Sequence, residues 1–411
     1  MTDAERVLAG AVATAGDRIR AALAIRFRDL DMAEEAFAFA SLRAVEAWRR
    51  DGPPRDPAAW LYAVGRRRAF DLGRRAKVRQ EAQHDAPEPE PDPEAVLMAA
   101  FEPIPDERLR LIFVCCHPAL APEARIALTL RTLVGLSVGR IARAWLTTEI
   151  AMGQRLTRAK RKIREARIRF EIPGPEAWGE RLEAVLATLE IAYAQAYEDA
   201  AGATDAADLA AETLRLSGLL AELLPDEPEV LGLAALIRLT ESRRPARLDG
   251  AGVMIPLSEQ DTRLWDDRLI AEAAGLLRRA AELGRSGPYQ LMAAIHATHA
   301  ARRDTGETAW GDIVALYDLL LIVRPSPVAQ VNRAVALAEA QDAEAGLQAL
   351  AAVAAPERLA DWLPYQAARA GLCAMAGRSR EASEALRHAL ALSPAPAERL
   401  FLERRLAALR T

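Results

Sequence analysis

The chain is poor in aromatic residues, which make up 5% of its 411 positions, and it carries only three cysteines and five histidines. Few aromatics beside abundant Ala, Leu and Arg disfavour β-sheets and favour helices, because those side chains lose little freedom in a helix. Cys115, Cys116 and Cys373 are too few to form a disulfide framework, and two of them are adjacent. A reducing cytoplasm is the expected compartment. No stretch reaches the ~18 apolar residues that span a bilayer, and the first twenty positions carry Asp3, Glu5 and Asp17 without a continuous apolar segment. Neither a membrane nor a targeting segment is therefore expected. What is present is ordinary for a globular protein: 51% apolar and 27% charged residues, which excludes a mostly disordered chain. At roughly 150 residues per domain the length suits two or three domains, and the expected fold class is all-α.

The net charge of -4 hides a segregation along the chain. Positions 1–79 hold 16 basic and 11 acidic residues, and positions 80–122 hold 2 and 9. Positions 123–169 then hold 12 and 3, and positions 170–411 hold 24 and 35. Two basic blocks parted by an acidic stretch, with a large acidic module appended, is the layout of a nucleic-acid binder. The acidic stretch contains Pro87, Pro89, Pro91 and Pro93 alternating with acids, which block a helix and repel one another, so it reads as an extended linker. Pro173-Gly174-Pro175 marks the end of the second basic block. The expected division is 1–80, a linker at 81–105, 106–172 and 176–411.

In the first block, Ala36, Phe37, Ala40, Val45 and Trp48 give positions 33–50 the spacing of an amphipathic helix. Gly52-Pro53-Pro54-Arg55 ends it, and Asp56-Pro57 supplies an N-cap followed by proline at the first helical position. The next helix, at 58–75, carries Arg66, Arg67, Arg68, Arg74 and Arg75 away from Leu61, Val64 and Leu72. That cationic face suits nucleic acid, and it equally suits a solvated surface. Trp60 beside Leu61 and Val64 reads as core.

In the second block, positions 120–131 read as one helix, 138–144 as a short second and 148–167 as a third, with Gly135-Leu136 turning between the first two. Met152, Leu156, Ala159 and Ile163 recur at spacings of four, three and four and form one inward stripe. Gln154, Thr157, Arg158 and Arg161 then point outward. A short helix, a tight connection and a longer helix with amide, hydroxyl and guanidinium groups outward read as a helix-turn-helix unit. Arg and Gln suit the major groove because each makes paired hydrogen bonds to a purine edge. Arg155, Lys160 and Arg161 join this surface, and Lys160, Arg161, Lys162, Arg164, Arg167 and Arg169 suit phosphates, whose contacts position without specifying. The bland alternative is a basic three-helix domain that reads no sequence.

Together the two blocks resemble a bacterial sigma factor of the sigma-70 family, of the extracytoplasmic-function type that keeps only regions 2 and 4. Region 2 is resembled by Asp31-Met32-Ala33-Glu34-Glu35, the helix to Trp48, the Gly52-Pro53-Pro54 loop, and Ala59-Trp60-Leu61-Tyr62-Ala63-Val64 running into the arginine cluster. Region 4 is resembled by Leu120-Ala121-Pro122-Glu123, Gly135-Leu136-Ser137, Ile141-Ala142 and the run from Met152 to Ile163. Residues 106–120, with Cys115-Cys116-His117, resemble a subgroup whose large C-terminal extension is of tetratricopeptide type. The resemblance implies that Asp31, Glu34 and Glu35 face the β′ clamp helices of core RNA polymerase, and that region 4 also touches the β flap. It implies that Gln154, Thr157 and Arg158 read the minus-35 element of promoter DNA. Arg66, Arg67, Arg68, Arg74 and Arg75 would lie on the minus-10 side, and Pro53, Pro54 and Arg55 would line the loop that receives a flipped base. Ala38 and Phe39 stand where many relatives carry Gln and an acid, and Arg67 stands where Asn is common.

Adjacent cysteines without a second pair suit tetrahedral zinc poorly, and no phosphate-binding loop is present, so neither metal nor cofactor is expected. Positions 176–411 alternate Ala/Leu-rich helical segments with breaks at Pro225, Pro325 and Pro394. Ala370, Gly377, Ala382, Leu386, Ala389 and Pro394 follow a 34-residue helix-pair pattern, whose stacked units offer a concave surface for a protein regulator. His296 and His299, one turn apart without a third ligand, read as structural. No nucleophile, base and metal set points to an enzyme. The second function class is a helical-repeat adaptor whose first half is a degenerate DNA-binding module.

Overall fold

The computed structural model describes residues 3–81, 106–144, 147–198, 204–353 and 359–409, and most of these are helical. Among them the only β pairing is one antiparallel bridge, Leu248 with Met254, so the fold class is all-α. The Pro-rich stretch expected as a linker at 81–105 lies, apart from Glu81, outside the described residues.

The chain forms two compact units, Met1–Ile191 and Ala192–Thr411. Both basic blocks belong to the first unit, which runs past the sequence break at 172. Its first part is built from α1 (Asp3–Phe27), α2 (Leu30–Asp51) and α3 (Pro57–Glu81), each packed on the other two. Asp29 starts α2 by accepting from the backbone N–H groups of Asp31 and Met32, at 2.8 and 3.0 Å. Asp56 caps α3 in the way its place before Pro57 predicts, accepting from the N–H of Ala59 at 2.9 Å. Ile19, Leu23, Ala36, Ala40, Trp48 and Leu61 fill the space between. Gly65 allows the close approach, since a Cβ there would sit 3.1 Å from Leu23 Cδ1. Trp60 is part-buried and meets Trp48 edge-on, with ring centroids 5.4 Å apart.

The second part holds α4 (Arg108–Cys115), α5 (Pro122–Thr129), a π turn at Leu130–Val134, α6 (Val138–Ala144) and α7 (Glu149–Glu165). The helix expected at 120–131 thus ends in a wider turn, closed by Gly135 at φ 84 with its N–H donating to Leu130. Its core is Leu111, Phe113, Ile126, Leu128, Leu133, Ile141 and Met152.

From α8 (Pro175–Glu198), within which the unit boundary falls, the chain continues as successive helices, interrupted at 242–266 by a longer segment with three short 3-10 turns and the Leu248–Met254 bridge. These are α9 (Thr204–Leu223), α10 (Pro228–Glu241), α11 (Asp267–Glu282), α12 (Pro288–Thr305), α13 (Trp310–Val323) and α14 (Pro327–Ala340). They are followed by α15 (Ala343–Ala351), α16 (Leu363–Met375), α17 (Ser379–Ala391) and α18 (Pro396–Ala408). Consecutive helices from α12 to α18 pack on their neighbours, and α10 packs on both α11 and α12. Small residues set these contacts. A Cβ at Gly346 would lie 2.5 Å from Ala338 Cβ and 2.9 Å from the Ala334 carbonyl oxygen. The start of α12 is held from α10 by Glu229, whose carboxylate accepts from the N–H groups of Tyr289 and Gln290 at 2.9 and 3.2 Å. Among the described residues no helix is long and apolar enough to cross a membrane.

Candidate nucleic-acid and partner interface

Helix α7 carries the most informative surface. Thr148 caps it, accepting from the Ala151 N–H at 3.1 Å, and Met152, Leu156, Ala159 and Ile163 are buried against α5 and α6. The spacing rule therefore divides the helix as its sequence reads. Gln154, Thr157, Arg158 and Arg161 are exposed on the opposite side, and Arg155 is part-buried between the two. Thr157 spends its hydroxyl proton on the Gly153 carbonyl at 2.9 Å, which leaves its oxygen lone pairs to accept. Arg161 is paired at 3.5 Å with Glu165, a turn away and exposed.

Lys160 is placed differently. It is 9% exposed and turned toward α2, where its Nζ donates to Asp31 Oδ1 at 2.7 Å. Glu34 Oε1 lies 3.3 Å from the same ammonium, an ion pair without hydrogen-bond geometry. Arg164 donates to Asp31 Oδ2 at 3.0 Å, and Arg131 lies 3.4 Å from Glu34 Oε2. Burial pushes the Asp31 carboxyl up, but Lys160 and Arg164 outweigh it and hold it below the usual carboxylate range. The third acid singled out in sequence, Glu35, pairs at 3.0 Å with Arg68. All three acids thus have intramolecular partners.

On α3, Arg68 also lies 4.8 Å from the Phe39 ring centroid, so Phe39 supplies a cation–π platform at its unusual position. Arg66 sits 6.0 Å from the Tyr62 ring centroid. Arg66 and Arg67 are part-buried, Arg74 is exposed, and the side chain of Arg75 lies outside the described residues. Pro53 and Arg55 are exposed and Pro54 part-buried in the turn after Gly52, whose φ of 82 and N–H bond to the Trp48 carbonyl end α2. Phe70, 52% exposed on the same helix, meets Phe27 edge-on at 5.0 Å and Arg26 at 5.6 Å.

Sequence reasoning did not single out Arg20, Asp17 or Arg108. Arg20 is 9% exposed and donates to the carbonyls of Thr132 and Leu133 at 3.2 and 2.8 Å, its guanidinium lying over Gly135 and 4.9 Å from the Phe37 ring centroid. Arg108 reaches Asp17 at 3.4 Å. A signal was present: Asp17 and Arg20 lie one turn apart in the stretch of α1 that also buries Ile19 and Leu23.

Cys115 and Cys116 are buried, with their sulfurs 3.1 and 3.5 Å from the hydroxyls of Thr132 and Thr129. Burial pushes both thiols up, which favours their protonated form. Among the described residues no group of three or more His, Cys, Asp and Glu is arranged to hold a metal ion. In the second unit, His296 Nδ1 accepts from Arg243 at 2.7 Å, and His299 packs edge-on to Trp310 at 5.3 Å. Burial pushes both imidazoles down, His299 to about 4, so both are neutral near pH 7.

Residues 181–281 match a family of unknown function (DUF6596). No solved structure matches the chain. An uncharacterized protein of Rhizobium meliloti (strain 1021) is 41% identical over 405 residues, covering 96% of this chain and 94% of that one. Likeness of that degree over nearly the whole length places the chain in the same protein family as the Rhizobium protein.

Proposed function

We propose that the chain is an alternative sigma factor of the extracytoplasmic-function type, working in the cytoplasm, which binds core RNA polymerase and directs initiation at particular promoters. The observation that carries the reading is the α6–α7 pair. A short helix precedes a longer helix whose apolar stripe is buried while Gln154, Thr157 and Arg158 stay exposed. In this reading those three side chains read the minus-35 element, with Arg155 and Arg161 beside them, while Lys160, expected on the same face, is instead turned to Asp31. Arg66, Arg67, Arg68, Arg74 and Arg75 lie along the minus-10 strand, and Pro53, Pro54 and Arg55 line the turn that takes an extruded base. Unstacking a base costs a few kcal/mol per step, which stacking and phosphate contacts offset, while polymerase supplies the remaining binding energy. Asp31, Glu34 and Glu35 form the acidic edge offered to the β′ clamp helices. The second unit, read as tetratricopeptide-like repeats, supports or regulates that engagement. Run-off transcription with purified core enzyme tests the reading: initiation at a defined promoter start is expected, and failure to bind core removes it.

A second reading, a protein-interaction adaptor, draws on the run of mutually packed helices in Ala192–Thr411. It predicts that a partner protein is captured by the second unit in the absence of polymerase, and that promoter-specific initiation never occurs.

A further inference from the structure

The second unit belongs to an acidic stretch of sequence, with 24 basic and 35 acidic residues over 170–411, yet two of its arginines meet no acid. Arg243 follows α10 and is 5% exposed. Its Nε and Nη1 groups are shut off from solvent without a hydrogen-bond acceptor, and Nη2 donates to His296 Nδ1 at 2.7 Å. Glu241, two residues earlier, is committed elsewhere: it holds Arg244 at 2.6 and 2.8 Å and accepts from the Tyr193 hydroxyl at 2.7 Å. Arg247, part-buried in the next turn, lies 3.8 Å from the Tyr197 ring centroid and donates to the Tyr197 carbonyl, and among the described residues it too pairs with no carboxylate. Burial pulls the Arg243 guanidinium below its ordinary range and the Arg247 charge adds to the pull, against the phenols of Tyr197 and Tyr193. A guanidinium keeps its proton in a protein, so the buried charge stays and so does its desolvation cost. An apolar side chain of similar length would serve packing better. His296 supplies a further donor: with Nδ1 accepting from Arg243, the neutral imidazole carries its proton on Nε2.

We propose that Arg243, Arg247 and His296 form a binding site for a small dianion, a phosphate monoester or a dicarboxylate, whose oxygens take up the donors left without acceptors. Both kinds of ligand bring two negative charges and several acceptor oxygens in a small volume, which two guanidiniums match and a monoanion does not. Tyr197, Arg247 and His296 keep part of their surfaces open, so entry to the buried Arg243 asks for a shift of side chains and not of a helix. The site draws on α8, the segment after α10, and α12, so an occupant ties three parts of the second unit together. It stands independently of the polymerase reading.

The test is titration calorimetry of the full chain at constant ionic strength and mildly alkaline pH, with inorganic phosphate, succinate and acetate as probes. Saturable binding of phosphate or succinate is expected, with acetate on the order of tenfold weaker, as for the loss of one charge-assisted hydrogen bond. Phosphate alone identifies a phosphate monoester site, and succinate alone a dicarboxylate site. Arg247→Gln, at a part-buried position, should weaken binding by a similar factor. Arg243→Met should abolish it, and in dianion-free buffer that chain should melt no lower than the wild type, because an uncompensated charge has left the interior. An arginine kept for structure would melt lower when removed, which overturns the site. Hydrogen exchange should slow at 240–250 and 289–299 when the binding probe is added. Slowing confined to α7, whose exposed arginines attract phosphate without a built site, overturns it as well, as do equal affinity for acetate, binding that survives both substitutions, or no binding by any probe.

Discussion

The two units solve the problem of joining helices in different ways. In Met1–Ile191 two basic blocks meet across specific charged contacts: Lys160 with Asp31 and Glu34, Arg164 with Asp31, Arg131 with Glu34, Arg20 with backbone carbonyls. In Ala192–Thr411 neighbouring helices come together over small side chains, as at Gly346 against Ala334 and Ala338, with apolar clusters such as Val331, Leu350 and Leu372 beneath. The contrast is one of reversibility. A contact made of charges answers to salt and to competing charges, whereas a close-packed apolar contact tolerates neither insertion nor separation.

The largest expected effect lies in the second unit. Gly346→Val places methyl groups where a single Cβ already meets Ala338 at 2.5 Å, with the Ala334 backbone behind it. It should destabilise that unit by about 3 kcal/mol, the upper part of the overpacking range, in urea unfolding followed by helical circular dichroism. Promoter binding by the first unit should fail only where the second unit has unfolded. Next is Arg158→Ala, which should weaken minus-35 binding by about 1 to 3 kcal/mol without altering stability, because the side chain is exposed and supports no packing. Equal loss on scrambled duplex would reassign Arg158 to phosphate binding.

Lys160→Met keeps the apolar stem and removes the charge, leaving Arg164 against Asp31 and Arg131 against Glu34 as the remaining cations. A cost of about 1 to 2 kcal/mol in the first unit is expected, below that of a fully buried pair because Asp31 is half-exposed. The wild-type contact should weaken between ~0.05 and ~1 M salt.

The smallest effect is on pH. His299 is lowered from 6.5 to about 4 in the folded chain, so the unfolded state binds the extra proton first. Its share of the second unit's stability is full above pH 6.5 and is lost as pH falls toward 4. Asp31 is held below its ordinary 3.8, so its share in the first unit is full above that value and is lost only at lower pH. His117 of the first unit is lowered by burial as well, so acid titration should show both units beginning to lose stability below pH 6.5, with the share carried by Asp31 lost only below its ordinary 3.8. A first unit insensitive to pH until that lower range would contradict the assigned environments.

The helices were legible in sequence wherever periodicity and punctuation agreed. Met152, Leu156, Ala159 and Ile163 announced the inward face of α7, and Asp56-Pro57 announced the start of α3. The breaks at Pro225, Pro325 and Pro394 all fall between helices. Lys160 was not legible. A lysine within a cationic run reads as solvated, and what turns it inward is a carboxylate 129 positions away, which no local pattern encodes. Arg20 escaped for the same reason, since its acceptors are backbone carbonyls of Thr132 and Leu133. The widening of the helix at Leu130–Val134 was hidden too, because a π turn leaves the apolar pattern nearly unchanged.

The most direct measurement is run-off transcription by purified core RNA polymerase with the full chain on a library of promoter fragments. The account predicts saturable binding to core and initiation at a fixed distance downstream of a shared pair of upstream elements. A chain that leaves core polymerase untouched and holds every duplex with equal strength would contradict it.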